Sequence, residues 1–316
     1  METILVTGGA GFIGSHVCDS LLEKGKKVIC IDNFNDYYDP EIKKKNIAEA
    51  LKNNNFILYK VDITNKEKLR DVFEENKMDK IIHLAARAGV RTSFENPTLY
   101  KEVNVGGTKN LLELACEFKI KTFIFGSSSS IYGVNEKVPF SEGDPIRNII
   151  SPYAETKKQG EDLCKRYHKE FGLNITCLRF FTVYGPRGRP DMAIYKFTKQ
   201  IIEEKPIDVY GNGTTKRDYT YVKDIVTGIL SALHKNKGFE IINLGNSEVV
   251  ELNRLISYIG KETGKKAKIN QLPIQKGDAP ITYADISKAR RLLKYQPKTN
   301  IEKGIKLFVE WFKRNT

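Results

Sequence analysis

Six short apolar runs at regular intervals constrain the fold more than any other feature of this chain. ILVTG (4–8), KVICID (27–32), FILYKVD (56–62), KIIHLAA (80–86), TFIFGSS (122–128) and ITCLRF (175–180) are apolar at successive positions rather than alternate ones. That pattern marks strands covered on both faces. Between them lie amphipathic stretches such as NKEKLRDVFEENK and GTKNLLELACEFK, whose apolar residues recur three and four apart. Strand and helix repeated with short connections predict an α/β fold, a doubly wound parallel sheet of the Rossmann type. Beyond residue 180 the pattern loosens into a helix near 192–204, KRDYTYV with the helical KDIVTGILSALHKN, EIINLG, the helix ELNRLISYIGKETG, and helices near 285–293 and 301–314. We expect residues 1–180 to form a dinucleotide-binding domain and 181–316 mainly a smaller substrate-binding lobe. Segments such as 215–236 should return to the first domain. At 316 residues this agrees with the soft rule of ~150 residues per domain.

Composition removes several alternatives. No stretch approaches the ~20 apolar residues of a membrane helix, and METILVTGGAGFIG lacks the pattern of a secretory signal, so we expect a cytoplasmic protein. Cys18, Cys30, Cys116, Cys164 and Cys177 are odd in number and scattered, and His16, His83, His168 and His234 are equally isolated. Neither a disulfide framework nor a metal site is expected. The net charge of +13 is dispersed among nearly as many acids and accompanies no nucleic-acid motif. It marks solvated faces and is compatible with a small polyanionic substrate.

The first strand runs into TGGAGFIG, and the helix FIGSHVCDSLLEKG opens on it. Gly8, Gly11 and Gly14, spaced GxxGxxG, let the backbone turn and approach a pyrophosphate at the helix N-terminus. The second strand ends in Asp32, 18 residues past Gly14. A carboxylate there can accept both ribose hydroxyls of adenosine and would repel a 2′-phosphate, which favours NAD over NADP. An ordinary turn acid before Asn33 is the plainer alternative. Asp62 could meet the adenine or simply cap a helix.

In SPYAETKKQGEDL, Ser151 and Pro152 are good helix-start residues, and Tyr153 and Lys157 then share one helical face. A tyrosine of pKa ~10 must fall by ~3 units, roughly 4 kcal/mol, to act as a base near neutrality. One ammonium at ~4 Å and an effective dielectric of ~20 supplies about that much. Upstream, GSSSSIYG (126–133) places serines at the carboxyl edge of the sheet, where doubly wound folds bind ligands.

TGGAGFIG, HLAA (83–86), SSSSIYG, YAETK and RDYTYVKD together resemble the extended short-chain dehydrogenase/reductase family, in its nucleotide-sugar epimerase branch, over nearly the whole chain. The resemblance implies that Tyr153 is the base, that Lys157 lowers its pKa and holds the nicotinamide ribose, and that Ser128 shares the proton network. It also implies that Phe12, Ile13, Asn33, Asp62, Ile63, Leu84, Ala85 and Ala86 bind the cofactor with Gly8, Gly11, Gly14 and Asp32. Relatives oxidise C4 of a UDP-sugar with tightly held NAD, rotate the 4-keto sugar and return the hydride to its other face. They pair as homodimers through helices corresponding to 93–118 and 152–171.

Dehydrating and decarboxylating relatives carry an acid just after the catalytic serine or threonine, where this chain has Ser129 and Ser130. Without that carboxylate, elimination lacks its acid and base and epimerisation is favoured. TVYGPRGRPDMA (182–193) and NDYYDP (35–40) resemble the members that epimerise UDP-glucuronate, whereas galactose-type epimerases usually have Asn-Pro at Thr182-Val183. Arginine's planar fork suits a carboxylate. We therefore expect Ser129, Ser130, Thr182 and Arg189 to hold a uronate carboxylate away from the alignment that releases CO2. Arg217 is expected on the pyrophosphate and Tyr210 near the uridine or, equally, in the rim. Arg87 and Arg91 compete for any anionic contact, while Arg187 and Asp191 have no assigned role. A neutral or N-acetylated UDP-hexose epimerase, a UDP-glucuronate decarboxylase and a nucleotide-binding regulator stay open as alternatives.

Overall fold

The computed structural model describes residues 1–135, 137–235, 237–273 and 280–315. In chain order the elements are β1 Thr3–Thr7, α1 Phe12–Glu23, β2 Lys27–Ile31, α2 Pro40–Asn46, β3 Phe56–Tyr59, α3 Lys66–Glu75, β4 Lys80–His83, α4 Pro97–Lys101, α5 Gly107–Glu117, β5 Thr122–Ser128, α6 Pro152–Phe171 and β6 Asn174–Phe180. There follow β7 Thr182–Tyr184, α7 Ala193–Ile202, β8 Ile207–Tyr210, β9 Lys216–Tyr221, α8 Val222–Lys235, β10 Phe239–Leu244, β11 Val249–Glu251, α9 Leu252–Thr263, β12 Ile269–Leu272, α10 Ser287–Leu293 and α11 Ile301–Asn315. Between α4 and α5 the helix passes through a π turn, Glu102–Gly106.

Seven strands form one parallel sheet in the order β10-β6-β5-β4-β1-β2-β3, a Rossmann-type arrangement. The chain reverses its direction of travel across the sheet between β1 and β4. A crevice therefore opens at their carboxyl ends, the usual ligand site of such folds. Successive strand residues enter opposite cores: Ile4, Val6, Val28, Cys30, Ile82 and Ile124 pack beneath α1 and α8, whereas Leu5, Ile29, Ile31, Ile81, Phe123 and Phe125 face α3, α5 and α6. This double coverage is why the strand sequences are apolar throughout.

The second half of the chain contributes to both the sheet and a separate core. Helix α8 lies along α1, α10 packs on α8 and β10, and β10 pairs with β6 at the sheet edge. Residue 236, the last of the segment expected to return, lies outside the described residues, as does residue 316. A third cluster unites α7, α9, α11 and strands β7 to β9 through residues such as Phe197, Tyr219, Leu255 and Phe308. The small sheets β11-β9-β7 and β12-β8 belong to this region. Among the described residues no helix is long and apolar enough to cross a membrane.

Candidate active site

The glycine loop lies over the crevice end of β1. Gly11 caps α1 without a side-chain hydrogen bond, so the first turn keeps its N–H groups for the loop side. A Cβ at Gly14 would clash with the Gly8 carbonyl oxygen and stand 2.8 Å from the Gly8 carbonyl carbon, so helix and loop close only on glycine. Phe12 is buried and Ile13 half-buried in the same turn. Asp32 directly follows β2, with one carboxylate oxygen accepting from Ala10 N (3.2 Å) and the other from Phe34 N (2.9 Å). Burial raises its pKa, opposed by the charge of Lys43 and these bonds.

Lys43 is a residue that sequence reasoning missed. Its ammonium is buried 3.9 Å from Asp32 and donates to the backbone and side-chain oxygens of Asn35 at 3.0 and 3.1 Å. In PEIKKKN it looks like any surface lysine, and only the position of α2 turns it inward. Asn33 donates to Asp62 at 2.7 Å, and Asp62 also accepts from the Thr64 backbone and hydroxyl at 2.8 and 2.7 Å. Burial raises the Asp62 pKa, but these bonds outweigh it and the net shift is downward. The Ile63 side chain is buried against Gly107. Leu84 N and Ala85 N bond to the Thr7 carbonyl (3.1 Å) and hydroxyl (3.3 Å), which seats the segment carrying Ala86 beside β1.

Helix α6 begins as its sequence predicts: Ser151 Oγ accepts from Ala154 N at 3.2 Å and Pro152 fills the first turn. Tyr153 and Lys157 consequently face the end of β5. Ser128 Oγ accepts from Ser130 N at 3.2 Å, and its hydroxyl acts to lower the pKa of the Tyr153 phenol. Lys157 Nζ donates to the Gly126 carbonyl at 2.7 Å, and burial pulls its pKa down to about 8 against the opposing effect of Cys164 and Glu161. Burial pushes the Tyr153 phenol up, and the groups opposing it are Ser128 and Arg189. Lys157 Nζ lies 5.9 Å from the Tyr153 ring centroid while it donates to Gly126.

The turn after β7 carries the basic groups. A cavity of about 160 Å³ is lined by Thr182, Arg189, Met192, Arg217, Tyr219 and Phe308, bringing together three residues expected on the substrate. Arg189 donates through Nε and Nη2 to Asp191 at 3.0 and 2.6 Å. Burial lowers its pKa, but Asp191 outweighs burial and the shift is upward. Arg217 is partly exposed, with one guanidinium nitrogen on the Lys216 carbonyl at 2.9 Å. Tyr210 does not line this cavity; the Arg91 guanidinium covers its ring at 5.1 Å. Ser129 is half-buried, and the Ser130 hydroxyl is buried with no hydrogen-bond partner among the described residues. Arg187, unassigned from sequence, pairs with Asp19 of α1 at 2.6 Å, and His16 Nε2 donates to the Pro186 carbonyl at 2.9 Å. These two contacts fasten the turn to the helix that opens the glycine loop.

The chain as a whole resembles known proteins. A UDP-glucuronate 4-epimerase of Thermodesulfobacterium geofontis is 48% identical over 316 residues, covering 100% of this chain and 97% of that protein. The crystal structure of a UDP-glucuronic acid 4-epimerase from Bacillus cereus, in complex with UDP-glucuronic acid and NAD, matches with a TM-score of 0.93 and 40% identity over 99% of this chain and 100% of that one. A UDP-glucose 4-epimerase of Thermotoga maritima with UDP-glucose matches at a TM-score of 0.92 and 35% identity, over 99% of each chain. Residues 4–245 match the NAD dependent epimerase/dehydratase family, and the chain belongs to it.

Proposed function

We propose that this protein is an isomerase that interconverts UDP-glucuronate and UDP-galacturonate with NAD as resident cofactor. The observation that carries this reading is the placement of Arg189, whose charge acts on Tyr153 and which shares a cavity with Thr182 and Arg217. A cationic fork beside the proton-transfer group suits a sugar with a carboxylate next to the reacting carbon.

The cradle fits NAD: an uncapped helix start over a loop that only glycine closes, and a buried Asp32 for the ribose. Gly8, Gly11, Phe12, Ile13 and Gly14 would hold the pyrophosphate, Asp32 and Asn33 the adenosine ribose, Asp62 and Ile63 the adenine side, and Leu84 to Ala86 the middle of the cofactor. When bound, NAD supplies hydride acceptance at C4 of the sugar and hydride return. Tyr153 takes the proton from the C4 hydroxyl and gives it back, with Ser128 hydrogen-bonded to the same oxygen. Lys157, fixed on Gly126, points its charge at the nicotinamide ribose and its neighbour Tyr153.

Ser129, Ser130, Thr182 and Arg189 grip the carboxylate. The unpartnered Ser130 hydroxyl is suited to that role, since a buried hydroxyl left unpaired costs ~1–3 kcal/mol. Their grip keeps the C5–C6 bond from lying parallel to the π system of the C4 carbonyl, the alignment from which a β-keto acid loses CO2. Arg217 reaches the substrate pyrophosphate and Tyr210 the uridine end.

The reading includes the division of the chain into residues 1–180 and a mainly substrate-binding 181–316, and a homodimer formed through α4, α5 and α6. It also includes a cytoplasmic location, a reducing compartment that suits five free cysteines. Incubation of the purified protein with UDP-glucuronate, followed by NMR, tests the function. UDP-galacturonate is the expected product; a UDP-pentose as main product, or no conversion, would overturn it.

A further inference from the structure

Tyr37 stands between two arginines: the guanidinium of Arg189 lies 5.3 Å from its ring centroid and that of Arg87 5.8 Å. The Tyr37 hydroxyl donates to Asp191 Oδ2 at 3.3 Å and lies 3.4 Å from Thr92 Oγ1. Gly89 makes room for it: its φ is +101°, and a Cβ there would clash with the Tyr37 hydroxyl and approach Thr92 Oγ1 to 2.6 Å. Thr92 in turn lies 2.6 Å from the Tyr100 hydroxyl, and the Tyr100 ring meets Tyr153 edge-on at 6.4 Å. A continuous set of contacts thus runs from the proton-transfer tyrosine through Tyr100, Thr92 and Tyr37 to Arg189.

Asp191 occupies the Nε and Nη2 edge of Arg189, the side a carboxylate prefers for a two-point contact. Only the Nη1 end and the second Nη2 proton remain to be given to a substrate. The Tyr37 ring fixes the plane of the fork, and Asp191 fixes its rotation about Cδ–Nε.

Resting on the proposed function, we infer that Asp191 and Tyr37 are positioning residues that aim Arg189 end-on at the sugar carboxylate. They thereby set both the preference for uronate over hexose and the suppression of CO2 loss. In that loss the C5–C6 bond of the 4-keto uronate breaks, and its electron pair enters an enolate between C4 and C5. The enolate takes one proton at C5 to give a 4-keto pentose. A fork free to rotate no longer holds the carboxylate clear of the C4 carbonyl.

Calorimetric titration of the NAD-loaded protein with UDP, UDP-glucose and UDP-glucuronate tests this. In Asp191→Asn, UDP-glucuronate should bind about tenfold more weakly, with UDP and UDP-glucose within about twofold of the parent, because only the carboxylate contact is misaimed. Tyr37→Phe, which keeps the ring and loses the hydroxyl, should weaken UDP-glucuronate about threefold. Asp191→Glu should restore part of the loss, and the pentose share of turnover should rise in Asp191→Asn. Unchanged or tighter uronate binding in Asp191→Asn would overturn the inference, and so would a parallel loss of UDP affinity, which would make the residue generally architectural. Turnover of UDP-glucuronate by the parent reads the proposed function separately: an inactive parent sinks that reading, whereas the binding ratios decide the role of Asp191.

Discussion

Replacing Glu161 by glutamine tests the buried network that holds α6 against the sheet. The side chains of Glu161 and Arg179 are each 2% exposed. Glu161 accepts three hydrogen bonds: from Arg179 Nε at 2.9 Å, Arg179 Nη2 at 2.8 Å and Ser127 Oγ at 2.7 Å. Arg179 also donates to the Tyr132 hydroxyl at 3.0 Å, and Tyr132 to Asn243 at 2.7 Å. Glu161 lies one turn past Lys157 on the same face, and Ser127 precedes Ser128, so the pair secures both halves of the proton-transfer group. Glutamine keeps one carbonyl but leaves the arginine charge buried without a counter-ion, a change that costs about 3–5 kcal/mol. Against a total stability of about 5–15 kcal/mol this is a large loss. Removing both charges, as in Glu161→Gln with Arg179→Met, should recover about 2 kcal/mol or more, since the cost lies in the unpaired charge. Urea unfolding followed by circular dichroism gives the free energies. Fluorescence of Trp311, the single tryptophan, which packs against the separate core of α7, α9 and α11, shows whether that core unfolds with the sheet. A loss below about 1 kcal/mol in the single variant, or a double variant less stable than the single, would refute the argument.

Three further outcomes are expected. Gly14→Ala should weaken NAD at least about tenfold despite alanine's better helix propensity, because the methyl meets the Gly8 carbonyl; undiminished NAD affinity by calorimetry would contradict the cradle. Tyr153→Phe should lower turnover by about 10²–10⁴ while UDP-sugar binding persists, and a loss under tenfold would remove Tyr153 from the base role. Burial, aided by the charge of Arg187, draws His16 from 6.5 down to about 4, so the neutral ring is favoured in the fold. Its stabilising contribution is present above pH 6.5 and lost as the pH falls toward 4. The difference of about 2.5 pKa units corresponds to about 3 kcal/mol, by which the stability gap should shift toward His16→Gln between pH 7.5 and 4 in urea titrations. A gap that does not move with pH would show that the ring is not held neutral.

What could be read in advance follows the range of the forces involved. Strands buried on both faces announce themselves locally, and Ser151-Pro152 opens α6 by chemistry confined to four residues. The glycine loop, Asp32 and the Tyr153–Lys157 pair are local patterns too. EIINLG gave no sign that it would be the seventh strand of the main sheet, because pairing with β6 is a tertiary choice. The inward turn of Lys43, the Arg187–Asp19 pair and the Tyr37–Asp191 bond join segments far apart in sequence, so no spacing rule exposes them. Helical spacing likewise gives Tyr153 and Lys157 a shared face, but the bond from the Lys157 ammonium to the Gly126 carbonyl joins separate elements and is invisible to spacing.

The seventh strand also bears on the order in which the protein can be made. While residues up to 180 emerge from the ribosome, β6 is a bare sheet edge with its hydrogen-bonding groups open to any extended chain. It acquires its partner only when Phe239–Leu244 has been synthesised, and α8, which covers one face of the sheet, is made just before. At about 5–20 residues per second the growing chain carries that edge for several seconds or more. A fragment ending near residue 180 would carry it permanently, so the glycine loop and the catalytic helix can be produced in a lasting folded form only together with the segment that closes the sheet.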